Sequence, residues 1–404
     1  MPYAVPLKQR LKLFECIVKT HRESIQGSNA NNNLRPGINV SITRGMVLED
    51  GMRYLNALGE RMKQRIVVSY RNEVGVMERG IDVGGLFKEF WCDLSALAFS
   101  PDYALFCAIE NDENGALFPN PSCFSAHGED AVELYNFLGK ILGKALFEGI
   151  TIQPVFAHFF LAFIRGNYNY MHILPDLATK DPQLHNNLMF LKTYEGDAED
   201  LCLTFSVNDD DFGSGAVVEL ISGGKEIDVT NENKHRYINL VAKHHVHDRL
   251  RKQAEAFGKG LWSVIDKSWL QLFNEPELQV LISGASGGKI DVEDMKSNTK
   301  YMGGYTFIDK RIAWFWSILA EMSVEEQGLL LKFVTSCERP PPLGFQSMNP
   351  SFNIMRIAIN TDSEKLPSAS TCFNTLKLPT YSSRSIMKSK LLFSIRSGAG
   401  FEMS

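Results

Sequence analysis

Apolar residues recur along this chain at spacings that alternate between helical and strand-like. Between residues 5 and 25, Leu7, Leu11, Leu13, Phe14, Ile17 and Val18 return at roughly helical spacing with Lys and Arg between them, which predicts an amphipathic helix. The polar stretch 27–34 reads as a loop, a second helix is expected over 48–62, and the β-branched run 65–70 reads as a short strand. Leu86, Phe87, Phe90, Trp91 and Leu94 form the buried stripe of a further helix, fed by a turn at 82–85 that Asp82 can cap. Two strongly apolar helices are expected between 130 and 165, brought close together by Gly139, Gly143 and Gly149, with Lys140 and Lys144 solvated.

The pattern then loosens. Leu184, Leu188, Tyr194, Leu201 and Leu203 alternate with acidic residues, 208–213 reads as a turn between short strands, and Thr230 with the three residues after it caps a helix carrying Tyr237, Leu240 and Val241. Residues 258–283 are helical again, with Pro276 opening the last of these helices. SGASGG (283–288), the most glycine-dense point, has the composition of a linker or hinge. Beyond it come a helix around Ile312–Leu319, a helix to 334 capped by Ser323, a rigid extended run at 339–344, and a last helix through 395, capped by Ser382 or Ser383 and stopped by Gly398.

At 404 residues the chain exceeds one ordinary core, so two or more lobes are expected. A net charge of -5 without a basic stripe argues against a nucleic-acid binder. No apolar run approaches the ~18 residues that span a bilayer, and the N-terminus lacks a secretory signal, so a cytosolic or nuclear protein is expected. Seven widely spaced cysteines with no CxxC suit reduced thiols better than disulfides or zinc. His235, His244, His245 and His247 have no Cys or carboxylate at ligand spacing, and neither a metal nor a cofactor is expected. The GxSxG at 284–288 imitates a serine-hydrolase elbow, but no histidine follows His247, and the glycines at 80–85 are not in phosphate-loop order.

The most informative stretch is LPSASTCFNTLKLPTY (366–381). Pro367 and Pro379 fix φ and remove donors at either end, so Cys372 is expected on a short stiff segment outside any helix. This run resembles the catalytic-cysteine motif LPxAxTCxNxLxLPxY of HECT-type ubiquitin-protein ligases. NEVGVMERGIDVGGLFKEF (72–90), GKILGKALFEGI (139–150) and TNEN (230–233) are similar to further stretches of that family. SCERPPPLGF (336–345) and the ending GFEMS look most like its IQ-motif-containing subgroup. Full-length members carry substrate-recruiting regions before this domain, so a fragment, or a short gene product, is one expectation.

The resemblance implies an α+β bilobal fold. A mainly helical N-terminal lobe would span 1–283, with a small conjugating-enzyme-binding subdomain at about 180–250; a hinge would lie at 284–288, with Gly284, Gly287 and Gly288; and a smaller α/β C-terminal lobe would span 289–404. It further implies that Cys372 takes ubiquitin from a conjugating enzyme as a thioester and passes it to lysines of protein substrates. Many members carry His where this chain has Ser370, which leaves Ser370, Thr371 and the Asn374 amide as local donors. Phe401 corresponds to the family's phenylalanine fourth from the end, and Glu402 beside it is a candidate proton acceptor. By the same alignment the docking groove falls on Leu184, Leu188, Leu201, Tyr237 and Val241. The alternatives are a non-catalytic scaffold of the same shape, and a ubiquitin-removing cysteine protease whose base would have to come from residues 1–247.

Overall fold

Helix prevails and strands are few and short, the α+β mixture expected. The computed structural model describes residues 4–27, 37–72, 74–78, 85–110, 112, 114–166, 168, 170–209, 216–284, 288–348 and 350–397, with the backbone alone at 85, 170 and 372. Contacts group the chain into two compact units, one of residues 99–143 with 155–276, the other of 1–98, 144–154 and 277–404. Among the described residues no helix is long and apolar enough to cross a membrane.

In the first of these units Phe99, Phe106, Phe156, Phe160 and Phe257 meet mostly edge to face, with centroids 5.2–6.3 Å apart. Such a cluster fills a core with few rotamer choices. Gly139 and Gly143 do permit a close approach, but the partner differs from the one expected: it is the helix Arg251–Val264, not His158–Arg165. A Cβ on Gly139 would fall on the Phe257 carbonyl, and one on Gly260 would fall on the Asn136 carbonyl. Gly149 has another task, ending the helix Asp130–Glu148 at φ 73° with open space around it.

The same unit carries a small subdomain of the helices Ile173–Lys180, Pro182–Thr193 and Lys234–Val246 with an antiparallel pair, Ser206–Asp209 on Ala216–Glu219. Asp181 caps the second helix, its carboxylate accepting the Leu184 N–H at 2.8 Å. The Thr230 hydroxyl accepts from the Glu232 and Asn233 N–H groups in the turn before the third helix.

The second unit opens with the helix Leu7–Gln26, which buries Arg10, Leu11, Phe14 and Val18. Arg10 makes a two-pronged ion pair with Glu277 at 2.5 and 2.6 Å, on the helix Glu275–Ser283, and Arg22 donates to the Phe147 carbonyl. Ile38–Thr43, which the sequence reading passed over, pairs in parallel with Ile66–Arg71. The helix expected to reach residue 62 stops at Asn56; Gly59 turns left-handed at φ 53°, and 59–63 continue as a 3-10 turn. Lys144, expected in solvent, is fully buried: its ammonium sits 2.6 Å from Glu148 and 2.9 Å from the Gln64 carbonyl. Burial pulls its pKa down, and Glu148 opposes that by favouring the charged form.

The rest of this unit packs the helices Lys310–Glu321, Val324–Thr335 and Arg384–Ser397 on a four-stranded sheet in the order Lys300–Met302, Asn353–Ile357, Thr375–Pro379, Ser368–Ser370. The last pair is antiparallel and the others are parallel. Ile312, Phe315, Leu319, Leu330, Leu376 and Leu391 lie at the centre of its core. The capping box at Ser323 and Glu326 is present. Ser383, not Ser382, accepts the Ile386 N–H, while Ser382 donates to Asp362. The run at 339–344 is not extended throughout: it turns at Pro341, whose carbonyl accepts the Gly344 N–H, with Gly344 at φ 81°.

Candidate active site

Cys372 lies on the 3-10 turn Thr371–Phe373, which joins Ser368–Ser370 to the central strand Thr375–Pro379. Thr375 pairs with Ser370 and Leu376 with Ala369, so four residues must reverse the chain. Asn374 closes the reversal in the left-handed region at φ 47°, which asparagine tolerates better than most residues. Its N–H bonds back to the Thr371 carbonyl at 3.2 Å.

Two buried asparagines hold this turn. Asn353, on the neighbouring parallel strand, donates its side-chain amide to the carbonyls of Phe373 (2.8 Å) and Ser351 (3.0 Å) and its backbone N–H to the Asn374 carbonyl (2.8 Å). Asn374 donates its amide to the Pro350 carbonyl at 2.6 Å, and its oxygen accepts from the Lys88 ammonium at 3.2 Å. The Asn374 amide, expected as a donor toward a thiolate, is thus engaged in holding the backbone, and its role is positional. Hydrogen bonds of this kind, made by side chains 3% and 8% exposed, are costly to break because each leaves a buried polar group unpaired.

The far end of the hairpin is fixed too. Tyr305 donates its hydroxyl to the Pro379 carbonyl at 3.3 Å, and Tyr381 donates to the Lys365 carbonyl at 2.8 Å. Burial pushes Tyr305 up to about 12 and raises Tyr381 as well, so both stay neutral donors. The turn itself packs against the helices Gly85–Ala98 and Val324–Thr335, Thr371 is half-buried beside the cysteine, and Phe373 is exposed.

Sequence reasoning found no cation within four residues of Cys372, and the fold supplies one from 286 residues away by bringing Lys88 to Asn374. Lys88 stands in the LFKEF run, where only the apolar stripe had drawn notice. Asn353 was missed as well; its only local signal is a polar residue opening the strand Asn353–Ile357. Phe401, Glu402, Gly287 and Asp82 lie outside the described residues. Gly284 (φ 89°) is buried against the Pro340 carbonyl and Arg339, and Gly288 has φ 62°.

Of the residues expected to form a docking groove, Leu188, Tyr237 and Val241 are buried, Tyr237 edge-on to Phe205, while Leu184 and Leu201 are half-buried. The first three therefore support the subdomain from beneath. Its exposed apolar side chains are Phe190, Val217 and Ile227. Among the described residues no group of three or more His, Cys, Asp or Glu is arranged to hold a metal ion.

Cys372 thus sits on a hairpin turn at the edge of a small sheet. The HECT-domain (ubiquitin-transferase) family matches residues 92–404, and the chain belongs to that family. It is 40% identical over its whole length to the E3 ubiquitin-protein ligase UPL6 of Arabidopsis thaliana and 38% identical to the ubiquitin-protein ligase E3B of Homo sapiens. The E3 ubiquitin-protein ligase HUL5 of Saccharomyces cerevisiae is 36% identical over the whole chain. The chain spans only 38–44% of the length of these relatives.

Proposed function

We propose that this chain is a ubiquitin-protein transferase, which receives ubiquitin from a conjugating enzyme as a thioester on Cys372 and passes it to lysines of substrate proteins. The observation that carries the reading is the cysteine turn clamped by Asn353 and Asn374. In the first step the Cys372 thiolate attacks the donor thioester carbonyl and the donor sulfur leaves, an exchange close to isoenergetic that depends on alignment more than on a strong base. In the second step a substrate amine attacks the same carbonyl, loses a proton and expels Cys372. Glu402 is the proposed acceptor of that proton, Phe401 the proposed anchor of the tail, and Thr371 a proposed oxyanion donor.

Asn374→Gly tests the clamp, since glycine keeps the left-handed backbone while deleting the side-chain bonds. Loading is expected to slow about ten- to hundredfold with the fold retained; unchanged loading would show that the turn needs no such anchor.

The conjugating enzyme is proposed to dock on the subdomain at about 180–250, over Leu184, Leu201 and the exposed Phe190, Val217 and Ile227. The segment 284–288 is the proposed hinge between lobes 1–283 and 289–404, and the cytoplasm, also the nucleus, the proposed location. Gly284 and Gly288 need their positive φ, so the stiffening substitutions belong between them. Prolines at Ala285 and Ser286 are expected to slow loading or transfer with both lobes still folded, and equal rates would remove the hinge from the mechanism.

The test of the whole reading is incubation with activated ubiquitin and a conjugating enzyme. A thiol-sensitive adduct on this chain supports it. Binding without an adduct would favour the scaffold, and hydrolysis of ubiquitin chains the protease.

A further inference from the structure

Two thiols that the transfer reaction does not use face each other elsewhere in the same unit. Cys92, on the helix Gly85–Ala98, and Cys337, just past the helix Val324–Thr335, stand close enough to affect each other's protonation and line one cavity of about 40 Å³ with Thr151, Ile152 and Arg339. That is room for about one water-sized molecule. Both residues are half-buried. Cys337 is oriented by a bond from its sulfur to the Thr151 carbonyl at 3.5 Å, and Ser336 before it turns left-handed at φ 64°.

We propose that Cys92 and Cys337 are an oxidation site, a dithiol that a hydroperoxide closes into a disulfide joining the helix Gly85–Ala98 to the segment 336–339. The chemistry balances with peroxide as the oxidant. The Cys337 thiolate attacks one peroxide oxygen, the O–O bond breaks, and with one proton a sulfenic acid and water result. The Cys92 sulfur then attacks the sulfenic sulfur, forming the S–S bond, and its proton leaves with the hydroxide as a second water. The two sulfurs supply the two electrons that reduce the peroxide, and a small dithiol reverses the reaction.

The division of roles follows from the surroundings. The neighbouring Cys92 thiol, with the nearby Lys88 ammonium and Thr151, outweighs burial and holds the Cys337 thiol below the ordinary thiol range. The neighbouring Cys337 and burial push Cys92 well up, so it stays protonated until the sulfenic acid forms. Of the other cysteines, Cys16 and Cys202 are exposed, and Cys123 lies against Gln253 and Tyr135.

The experiment uses the full chain carrying Cys372→Ser, so that the nucleophile of the transfer reaction takes no part. The protein is exposed to hydrogen peroxide, remaining thiols are alkylated, and the digest is read by mass spectrometry with and without dithiothreitol. A peptide pair linked through Cys92 and Cys337 is expected, lost with reductant and absent from both Cys92→Ser and Cys337→Ser. The linked form is expected to unfold several degrees higher than the reduced form, because the bridge closes a long loop of the unfolded chain. Unfolding of the two variants under reducing conditions shows whether they fold as the parent does. Full alkylation of both cysteines after peroxide, or oxidation of each to a sulfinic acid without a link, overturns the proposal.

Discussion

Replacing Cys372 with serine is expected to turn the ubiquitin adduct from one that thiols cleave into one that they do not, and replacing it with alanine to remove the adduct altogether. A serine hydroxyl is a far weaker nucleophile than a thiolate and its ester has a poorer leaving group than a thioester, so the serine form should load slowly and stall before the lysine step. Electrophoresis with and without reductant reads both outcomes. The competing explanation is capture of ubiquitin by another accessible thiol, and Cys16 and Cys202 are exposed. An adduct that persists, still thiol-sensitive, in Cys372→Ala would move the acceptor to one of them and end the reading proposed for the turn.

The second large effect belongs to the helix contact at Gly139. Gly139→Ala is expected to cost about 3 kcal/mol or more, because the added methyl would occupy the place of the Phe257 carbonyl, which is backbone and cannot rotate aside. The helices Asp130–Glu148 and Arg251–Val264 would have to part, uncovering Ile141, Leu142 and Leu261. Gly149→Ala is the comparison. There the space is open and only the left-handed backbone is strained, so about 1 kcal/mol is expected. Denaturant midpoints separate the two. Equal losses at both sites would mean that helix approach is not what glycine provides at 139.

These two sites differ in how far the sequence disclosed them. The cysteine motif named its own residue through its resemblance to the HECT family, and the two prolines placed that residue outside any helix. What holds the turn was not disclosed: Asn353 and Lys88 reach it through pairing of strands and helices that are far apart in sequence, and no local pattern reports such partners. Periodicity in the same way located the apolar faces of the helices around Leu138 and Leu261 without saying that they meet each other. Lys144 shows a further limit. A lysine inside an apolar run reads as solvated unless its neighbours are known, and here Glu148 and the Gln64 carbonyl make burial tolerable. The strand Ile38–Thr43 escaped notice because its identity depends on pairing with Ile66–Arg71.

The ion pair between Arg10 and Glu277 spans 267 residues of chain. During synthesis at ~5–20 residues per second, the helix Leu7–Gln26 leaves the ribosome roughly ten to fifty seconds before its docking partner exists. For that interval its stripe of Leu11, Phe14 and Val18 has no native cover, which makes this helix a natural client for chaperones that wait at the exit tunnel.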